Sequence, residues 1–382
     1  MLKNTPTDTT SMAPPTYATG NPALDFFYIL FNGIAEVPLF SSPITGILIL
    51  AGVFLASRKA GSMMVLSGLI GAGIAILLGA DYGLVAFGLF GYNSILTGMA
   101  FWSGPFVKAN KATFWLSVFG AAGTAVAWMA FAHFMGDTFY QGKAWAIPGF
   151  TSSFIFTTWA MMYASKRFGH DIWPAVAPPA KEEMIAGSSN LAQTETFKWT
   201  AKEFMIATLK GVSQVTFVEN WKTGVFWVVG LTLAFQIPPL ITGATAQNLP
   251  WWTNGYTAQW NQFSPLFLAG AMALLGSGIG VTLAILNKIP TAEIRLGLHG
   301  FNQVLVMIAL TSFLPLTVTT FFYAVFATIA CSVIVMPALQ RFFGIWGLPA
   351  LTGPFVFTAW VFMLGVSGFQ NIPAGIGWSR GQ

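Results

Sequence analysis

The sequence predicts an all-α, polytopic membrane protein built from two related halves, and three observations support this prediction. Of its 382 residues, 55% are hydrophobic and only 8% are charged, whereas about a quarter of the residues of a soluble domain are charged. Many apolar runs reach the ~20 residues that a helix needs to cross a bilayer. Three short motifs also occur twice and in the same order.

The apolar runs predict ten membrane-spanning helices, five in each half. In the first half they lie near residues 43–57, 62–80, 83–102, 112–135 and 149–166. In the second half they lie near residues 221–237, 264–286, 294–313, 317–337 and 350–367. A shorter and more polar run precedes each set, at 24–40 and 204–218. We expect these two runs to form re-entrant helices that cross half of the membrane.

Polar and interfacial segments set the expected domain boundaries. Residues 1–21 are rich in Pro and Thr and predict a flexible arm, and residues 369–382 form a short tail. The charged linker 168–203 then separates a first repeat, 22–167, from a second repeat, 204–368. The second repeat contains an uncharged, Trp-rich loop insert at 236–263, a composition that favours the membrane–water interface.

Three motif pairs carry the evidence for duplication. The sequence FNGIAEV (31–37) matches LKGVSQV (209–215), and GYNSIL (91–96) matches GFNQVL (300–305). The third pair is IPGFTSSF (147–154) and LPALTGPF (348–355), and each copy runs on to a tryptophan. Because each repeat has an odd number of spans, the repeats must insert in opposite orientations, which predicts a pore at the interface of two inverted repeats.

The placement of Lys and Arg predicts the orientation of the chain. One side of the predicted topology collects Arg58, Lys59, Lys108, Lys111, Lys166, Arg167, Lys198, Lys202, Lys288, Arg295 and Arg341. The opposite side has Lys143, together with Lys3 and Arg380 in the tails. Since basic loops stay inside, this pattern predicts a cytoplasmic basic side and external termini.

Glu36 and Gln214 occupy equivalent positions in the two short runs. A carboxyl group within a membrane is costly and indicates a functional site unless it is a structural acid at the interface. If both runs approach the midplane from opposite faces, both side chains reach the centre of one pathway. We therefore expect Glu36 and Gln214 to contact the solute.

Asn93 and Asn302 lie within predicted spans, where asparagine usually hydrogen-bonds a neighbouring helix or a freed backbone group. We expect both to have structural roles. Around them, Tyr92 with Leu96 and Phe301 with Leu305 are i, i+4 pairs that share a helix face. Such faces are usually packing surfaces, but their repetition beside asparagine makes them candidate pore walls.

The stretch LPALTGPF has an unusual density of backbone-breaking residues for an apolar segment. Pro349 suits the first turn of a helix, whereas Pro354 within the helix is expected to leave the carbonyl of Ala350 unpaired. The related stretch contains Pro148 but has Ser153 at the second proline position. We therefore do not expect a proline to free the carbonyl of Gly149 in this copy.

Metal, cofactor and catalytic sites are not indicated. The three histidines, His133, His170 and His299, have no Glu or Cys at ligand spacing, and Cys331 is the single cysteine. No nucleophile lies beside a base in a recognisable pattern. The net charge of +5 is explained by the one-sided loops rather than by binding to nucleic acid. We expect neither an enzyme nor a cofactor.

Taken together, the motif pairs resemble the urea transporter family. That family carries two copies of an LPxxTxPF signature, a GIxQV-like stretch and a G[FY]NxxL stretch. Here these are LPALTGPF and the looser IPGFTSSF, GIAEV and GVSQV, and GYNSIL and GFNQVL. The resemblance covers residues 22–368, apart from the linker and the insert.

The resemblance implies a passive, channel-like path for urea through each protomer of a homotrimer in the cell membrane, with a bacterial inner membrane favoured. It implies that Glu36 and Gln214 accept hydrogen bonds from urea amide groups, and that Thr151 and Thr352 supply hydroxyls at the centre. Because of the carbonyl freed beneath Pro354, we expect Thr352 to contribute more than Thr151 to the central barrier. The remaining residues assigned to the filter are Tyr92, Leu96, Phe301, Leu305, Leu39, Phe217, Val37 and Val215. Structural roles are assigned to Asn93, Asn302, Pro148, Pro349 and Pro354.

The chain departs from the family pattern at four positions: Ile147 for Leu, Ser153 for Pro, Glu36 for Gln, and Leu39 where an aromatic residue is expected. A wider slot on that side leaves a related small amide open as substrate. Eukaryotic relatives place both termini in the cytoplasm, contrary to the charge pattern. The alternatives are proton-coupled transport of a small polar solute through Glu36, and a pore for ammonia or water.

Overall fold

The computed structural model describes residues 18–135, 147–168, 197–234, 268–314, 316–366 and 368–372. Within these ranges the regular structure is helical and no strand occurs. Several expectations lie outside the described residues: most of the arm and linker, all of the insert, most of the C-terminal tail, His170, and the basic residues Lys3, Lys143 and Arg380.

The described first half contains seven α-helices. They are α1 (Pro22–Ala35), α2 (Pro43–Ala56), α3 (Arg58–Leu77), α4 (Tyr82–Phe87), α5 (Gly91–Trp102), α6 (Lys111–Met135) and α7 (Ser152–Ser165). The 3₁₀ turn Lys166–Phe168 extends α7. Asn21 and Ser42 cap α1 and α2 by accepting hydrogen bonds from backbone N–H groups of the first turn, and a proline follows each cap.

The described second half repeats this order. It contains α8 (Ala201–Ser213) with the 3₁₀ turn Gln214–Thr216, α9 (Trp221–Leu233), α10 (Leu268–Leu286), α11 (Thr291–Arg295), α12 (Phe301–Phe313), α13 (Val318–Ala330), α14 (Met336–Gly344) and α15 (Gly353–Val366). The π-helical turn Cys331–Val335 joins α13 to α14. The short helices α4 and α11 thus occupy corresponding places in the two halves.

Four helices of the described chain are long and apolar enough to cross a membrane: Arg58–Leu77, Lys111–Met135, Leu268–Leu286 and the continuous Val318–Gly344. Shorter apolar helices accompany them, so the protein is an all-helical, multi-pass membrane protein. The other six expected spans appear as helices of 14 residues or fewer. The count of ten spans therefore stays a prediction.

Two of the expected spans, 83–102 and 294–313, are broken rather than continuous. The breaks contain Gly88 and Gly297, whose φ angles of +107° and +83° lie in the left-handed region. A Cβ at Gly88 would lie 2.5 Å from the carbonyl carbon of Asn32, and one at Gly297 would lie 2.5 Å from that of Lys210. Each break is therefore shaped by the short helix that passes beside it.

The helices that begin the two halves cross at very small distances. A Cβ at Gly46 of α2 would lie 2.0 Å from the carbonyl oxygen of Phe31 in α1. A Cβ at Gly224 of α9 would likewise lie 2.0 Å from the carbonyl oxygen of Leu209 in α8. Small residues permit this backbone approach, as is usual where membrane helices pack.

The expectation for LPALTGPF is wrong in one respect. Pro354 does not lie inside a helix that includes Ala350: Leu348–Ala350 lacks regular structure, and α15 begins at Gly353. Pro354 is thus the second residue of α15, where a missing N–H costs little. The carbonyl of Ala350 is paired, because it accepts a hydrogen bond of 3.0 Å from the N–H of Gly353.

Candidate functional site

The N-terminal ends of α7 and α15 meet in the interior of the protein. The residue before each helix is a threonine, and the Oγ1 atoms of Thr151 and Thr352 lie 2.6 Å apart. Both threonines are completely buried. Each follows a residue with positive φ, Phe150 (+48°) or Leu351 (+53°), so a tight turn directs each chain into its helix.

An asparagine from a neighbouring helix holds each of these turns. Asn93 of α5 donates to the carbonyl of Phe150 (3.0 Å) and accepts from the N–H of Phe154 (3.3 Å). Asn302 of α12 donates to the carbonyl of Leu351 (3.2 Å) and accepts from the N–H of Phe355 (3.0 Å). A single amide therefore satisfies both a turn carbonyl and an N–H of the first helical turn.

The two prolines before the threonines hold the ends of the helices together. The indole N–H of Trp159 donates to the carbonyl of Pro349 (2.8 Å), and that of Trp360 donates to the carbonyl of Pro148 (3.1 Å). Each bond joins one half of the chain to the other. The carbonyls of Pro148 and Pro349 thus each accept a hydrogen bond from an indole of the opposite half.

Glu36 and Gln214 end the short helices α1 and α8 at equivalent places. Both are buried, with 6% and 8% of their surface exposed. The Nε2 of Gln214 donates to the carbonyl of Leu296 (2.8 Å). The Oε1 of Glu36 lies 2.6 Å from the Oγ of Ser41, which itself lies 2.6 Å from the carbonyl oxygen of Phe87.

Apolar side chains surround these polar groups. Val37, Val215, Leu96 and Leu305 are fully buried, Tyr92 is nearly so, and Leu39, Phe217 and Phe301 are partly buried. Leu39 and Phe217 both have positive φ, +71° and +57°. The ring centroids of Phe217 and Phe154, which come from opposite halves, are 6.0 Å apart. These residues form an apolar environment in which a hydrogen bond is strengthened.

Tyr92 has a hydrogen-bonding role as well as an apolar one. Its hydroxyl donates to the carbonyl of Phe150 (2.6 Å) and accepts from the indole N–H of Trp128 (3.1 Å). Its counterpart, Phe301, has no hydroxyl. The turn at Phe150 is therefore held by two side chains from α5, whereas the turn at Leu351 is held by Asn302.

The site has little capacity for ionic chemistry. Of the twelve residues assigned to the filter, Glu36 alone carries a carboxyl group. No group of three His, Cys, Asp or Glu side chains that could hold a metal ion occurs within the described ranges. His299 lies elsewhere, with its Nε2 3.3 Å from Glu293 Oε2. The arrangement can accept and donate hydrogen bonds within apolar surroundings.

Sequence reasoning selected the residues that meet at the centre but missed two others. Ser41, which contacts Glu36, lies in an unremarkable Ser-Ser-Pro sequence, and its position five residues after a candidate carboxyl is the only signal. Phe154 faces Phe217 across the halves, and its place as the last residue of a duplicated motif could have identified it. We expected Thr352 to contribute more than Thr151 because a carbonyl would be freed beside it, and this reason no longer holds. The carbonyls of Gly149 and Ala350 accept hydrogen bonds from the N–H groups of Ser152 and Gly353, both at 3.0 Å.

Most of the chain is similar to known proteins. A family model described as "UT: Urea transporter" matches residues 2–142, 138–242 and 263–376. Urea transporter 1 of Rattus norvegicus is 26% identical over 361 residues, which cover 91% of this chain and 79% of that protein. Urea transporter 1 of Ovis aries is 25% identical over 361 residues, covering 92% and 79%.

Proposed function

This chain belongs to the urea transporter family, and from that membership we propose that it conducts urea passively across the cell membrane. It is a transporter rather than an enzyme. The proposed path runs between the two halves of the chain, past Glu36 and Gln214, with Thr151 and Thr352 at its centre. The buried contact between the two threonine hydroxyls is the observation that supports this path, because it places polar groups where two helices from opposite halves meet.

The proposed architecture is a pair of inverted five-helix repeats, 22–167 and 204–368, each with a re-entrant helix, and the arm, linker and tail around them. Reciprocal contacts support it. Thr45 donates to the carbonyl of Gly230 (2.8 Å), and Thr223, the counterpart of Thr45, donates to the carbonyl of Gly52 (2.7 Å). A two-fold relation between the halves accounts for such an exchange of donor and acceptor.

Urea is planar, neutral and strongly hydrated, and it carries both N–H donors and a carbonyl acceptor. Its entry into a dry path with these groups unmet would cost several kcal/mol, roughly 2–7 for each polar group. Oxygen atoms on Glu36, Gln214 and the threonine pair replace the lost water along the proposed path. The carbonyl of Ala350, which the sequence predicted to be freed by Pro354, already accepts one hydrogen bond within its turn.

The apolar walls supply the selectivity of the proposed path. Leu96, Leu305, Leu39 and Phe217 offer flat hydrocarbon surfaces to a planar molecule. An ion would lose its hydration shell there without charge compensation, so a dry path of this kind excludes it. A neutral solute that moves down its gradient also needs no coupling ion. Assembly as a homotrimer in membrane lipid, which family resemblance implies, is part of the same proposal.

Urea uptake into vesicles that contain the purified protein tests the proposal. We expect uptake to follow the urea gradient, to ignore an imposed pH gradient and to be inhibited by thiourea. Glu36→Gln, a change toward the equivalent residue of the second half, should retain this uptake. Uptake that requires a pH gradient and disappears in Glu36→Gln would instead establish proton-coupled transport, and failure of thiourea to compete would favour an ammonia or water pore.

A further inference from the structure

We propose that Ser41 holds Glu36 as a neutral carboxylic acid, so that Glu36 presents to the solute the same uncharged acceptor oxygen as Gln214. This inference rests on the proposed function for its role in transport, but the protonation itself is a property of the folded protein. It makes Ser41 a positioning residue that acts through Glu36.

The second half provides the reference geometry. Gln214 anchors its amide nitrogen on the carbonyl of Leu296 (2.8 Å), the residue before Gly297. An amide fixed through its nitrogen has its oxygen left to accept hydrogen bonds. In the first half the corresponding carbonyl is that of Phe87, the residue before Gly88. Glu36 therefore faces the same anchor with a different side chain.

An ionised Glu36 could not use this anchor, because a carboxylate has no hydrogen to donate. Ser41 fills the gap: its Oγ lies 2.6 Å from Glu36 Oε1 and 2.6 Å from the carbonyl oxygen of Phe87. Two hydrogen bonds among these three oxygens require two hydrogens, but the serine hydroxyl carries only one. The Glu36 carboxyl is the other member of the three that can carry one.

The lengths of the two contacts support two hydrogens rather than one shared hydrogen. Hydrogen bonds between oxygens are 2.5–3.0 Å long and weaken steeply as the angle at the hydrogen falls below about 120°. If one hydrogen were shared between two acceptors, both hydrogen-bond angles would be poor and both contacts would be longer. Two short contacts fit the chain Glu36 O–H to Ser41 Oγ, and Ser41 O–H to the Phe87 carbonyl. The proposal concerns only whether the Glu36 carboxyl group carries its proton, and it requires no other change in bonding.

Six titratable side chains lie on α1 and on the helices that pack against it. Helices α2, α3, α4 and α5 pack against α1, and the titratable side chains on these elements are Asp25, Tyr28, Arg58, Lys59, Tyr82 and Tyr92. Tyr92 donates to Phe150, Tyr82 is hydrogen-bonded to Asp25, and Lys59 Nζ lies 4.5 Å from the centre of the Trp102 ring. Tyr92, Tyr82 and Lys59 thus each have a contact with a group other than Glu36.

Infrared difference spectroscopy of the reconstituted protein at neutral pH tests the protonation directly. We expect the carbonyl-stretch band of a protonated carboxyl group in the native protein and its loss in Glu36→Gln. A difference spectrum that shows the loss of carboxylate bands instead would overturn the proposal. This measurement does not depend on urea flux, so it remains decisive even if the protein fails to transport urea.

The role of Ser41 is tested by the pH dependence of urea uptake. The native protein and Glu36→Gln should be insensitive to pH. In Ser41→Ala, the protonated Glu36 loses one hydrogen-bond acceptor, which moves the balance toward the ionised form. Uptake should then fall as the pH rises, by about tenfold per pH unit once the ionised form predominates. Ser41→Ala combined with Glu36→Gln should again be insensitive, because the amide has no proton to lose.

Ser67→Ala is the matched control, since it removes a buried hydroxyl that donates to the carbonyl of Met63 in its own helix. It should behave as the native protein does. If Ser41→Ala has the same flat pH profile as Ser67→Ala, Ser41 does not hold the proton and the proposal is wrong. Ser41→Thr, which retains a hydroxyl, should restore the native profile and provides the test if Ser41→Ala does not fold.

Discussion

At the scale of single residues, the two central threonines are chemically equivalent, although the motifs that contain them differ in sequence. Thr151 and Thr352 share one hydrogen bond of 2.6 Å, and either hydroxyl can be the donor. The pair therefore keeps one hydroxyl hydrogen and several lone pairs for other partners. It can accept from an N–H group and donate to a carbonyl oxygen, and urea carries both groups. Nothing in this arrangement ranks one threonine above the other.

Thr151→Val and Thr352→Val should consequently have equal effects. Each leaves the remaining hydroxyl buried without its partner, which should lower the free energy of unfolding by about 1–3 kcal/mol, and each removes one oxygen from the proposed path, which should slow urea uptake. The double variant leaves no unpaired hydroxyl, so its stability should recover while its uptake falls further. Thermal unfolding in detergent and vesicle uptake measure the two effects, and a large difference between the single variants would contradict the symmetry.

The residues of this site could be predicted because they recur. Thr151 and Thr352 stand at the same place in a duplicated motif, as do Asn93 and Asn302. Their mutual contacts could not be predicted, because they depend on how α7 and α15 approach each other across about 200 positions of sequence. The prediction that Pro354 lies within a helix was wrong for a local reason. The apolar run is continuous across Pro354, so hydrophobicity alone does not show that the helix begins at Gly353.

At the scale of helices, the fold depends on glycines where backbones cross. Gly46 and Gly224 each leave room for a carbonyl oxygen of the preceding short helix. A carbonyl oxygen belongs to the backbone and cannot rotate aside as a side chain can. Phe31 and Leu209 lie five residues before Glu36 and Gln214, so these crossings lie close to the two polar side chains.

Gly46→Ala and Gly224→Ala should each be destabilising, because the added Cβ would lie 2.0 Å from a backbone oxygen. Forced repacking of this kind costs about 1–3 kcal/mol or more, so both variants should unfold at lower temperature than the native protein. Gly73→Ala in α3 and Gly123→Ala in α6 are matched controls, since nothing lies within 4 Å of the new methyl group. Alanine favours a helix by up to about 1 kcal/mol relative to glycine, so the controls should keep or raise the unfolding temperature.

Helix positions followed from the sequence where an apolar run ends at a clear boundary. The run at 112–135, for example, becomes the helix Lys111–Met135. The breaks at Gly88 and Gly297 were not predicted, because glycine within an apolar run is also common in continuous membrane helices. What decides the break is the backbone of Asn32 or Lys210 beside it, and that contact is long-range.

At the scale of the whole molecule, the two halves are joined by bonds that occur in reciprocal pairs. Besides the threonines of α2 and α9, Trp159 and Trp360 each reach a proline carbonyl in the opposite half. Lys166, at the end of α7, also donates to the carbonyl of Gly347 (3.2 Å) in the second half. The tryptophan bonds lie nearest the central threonines, so they bear most directly on the spacing of the two helix ends.

Trp159→Phe and Trp360→Phe should loosen this spacing, because each keeps an aromatic ring but removes the indole N–H. Loss of one such bond should lower the free energy of unfolding by about 0.5–1.5 kcal/mol, similarly for the two variants. A wider centre should admit bulkier amides, so uptake of N-methylurea relative to urea should rise in both. Trp115→Phe, at an exposed position on α6, is the control and should change neither quantity. If the uptake ratio is unchanged in both variants, packing alone sets the distance between the two helix ends. The tryptophan hydrogen bonds would then not set the width of the path.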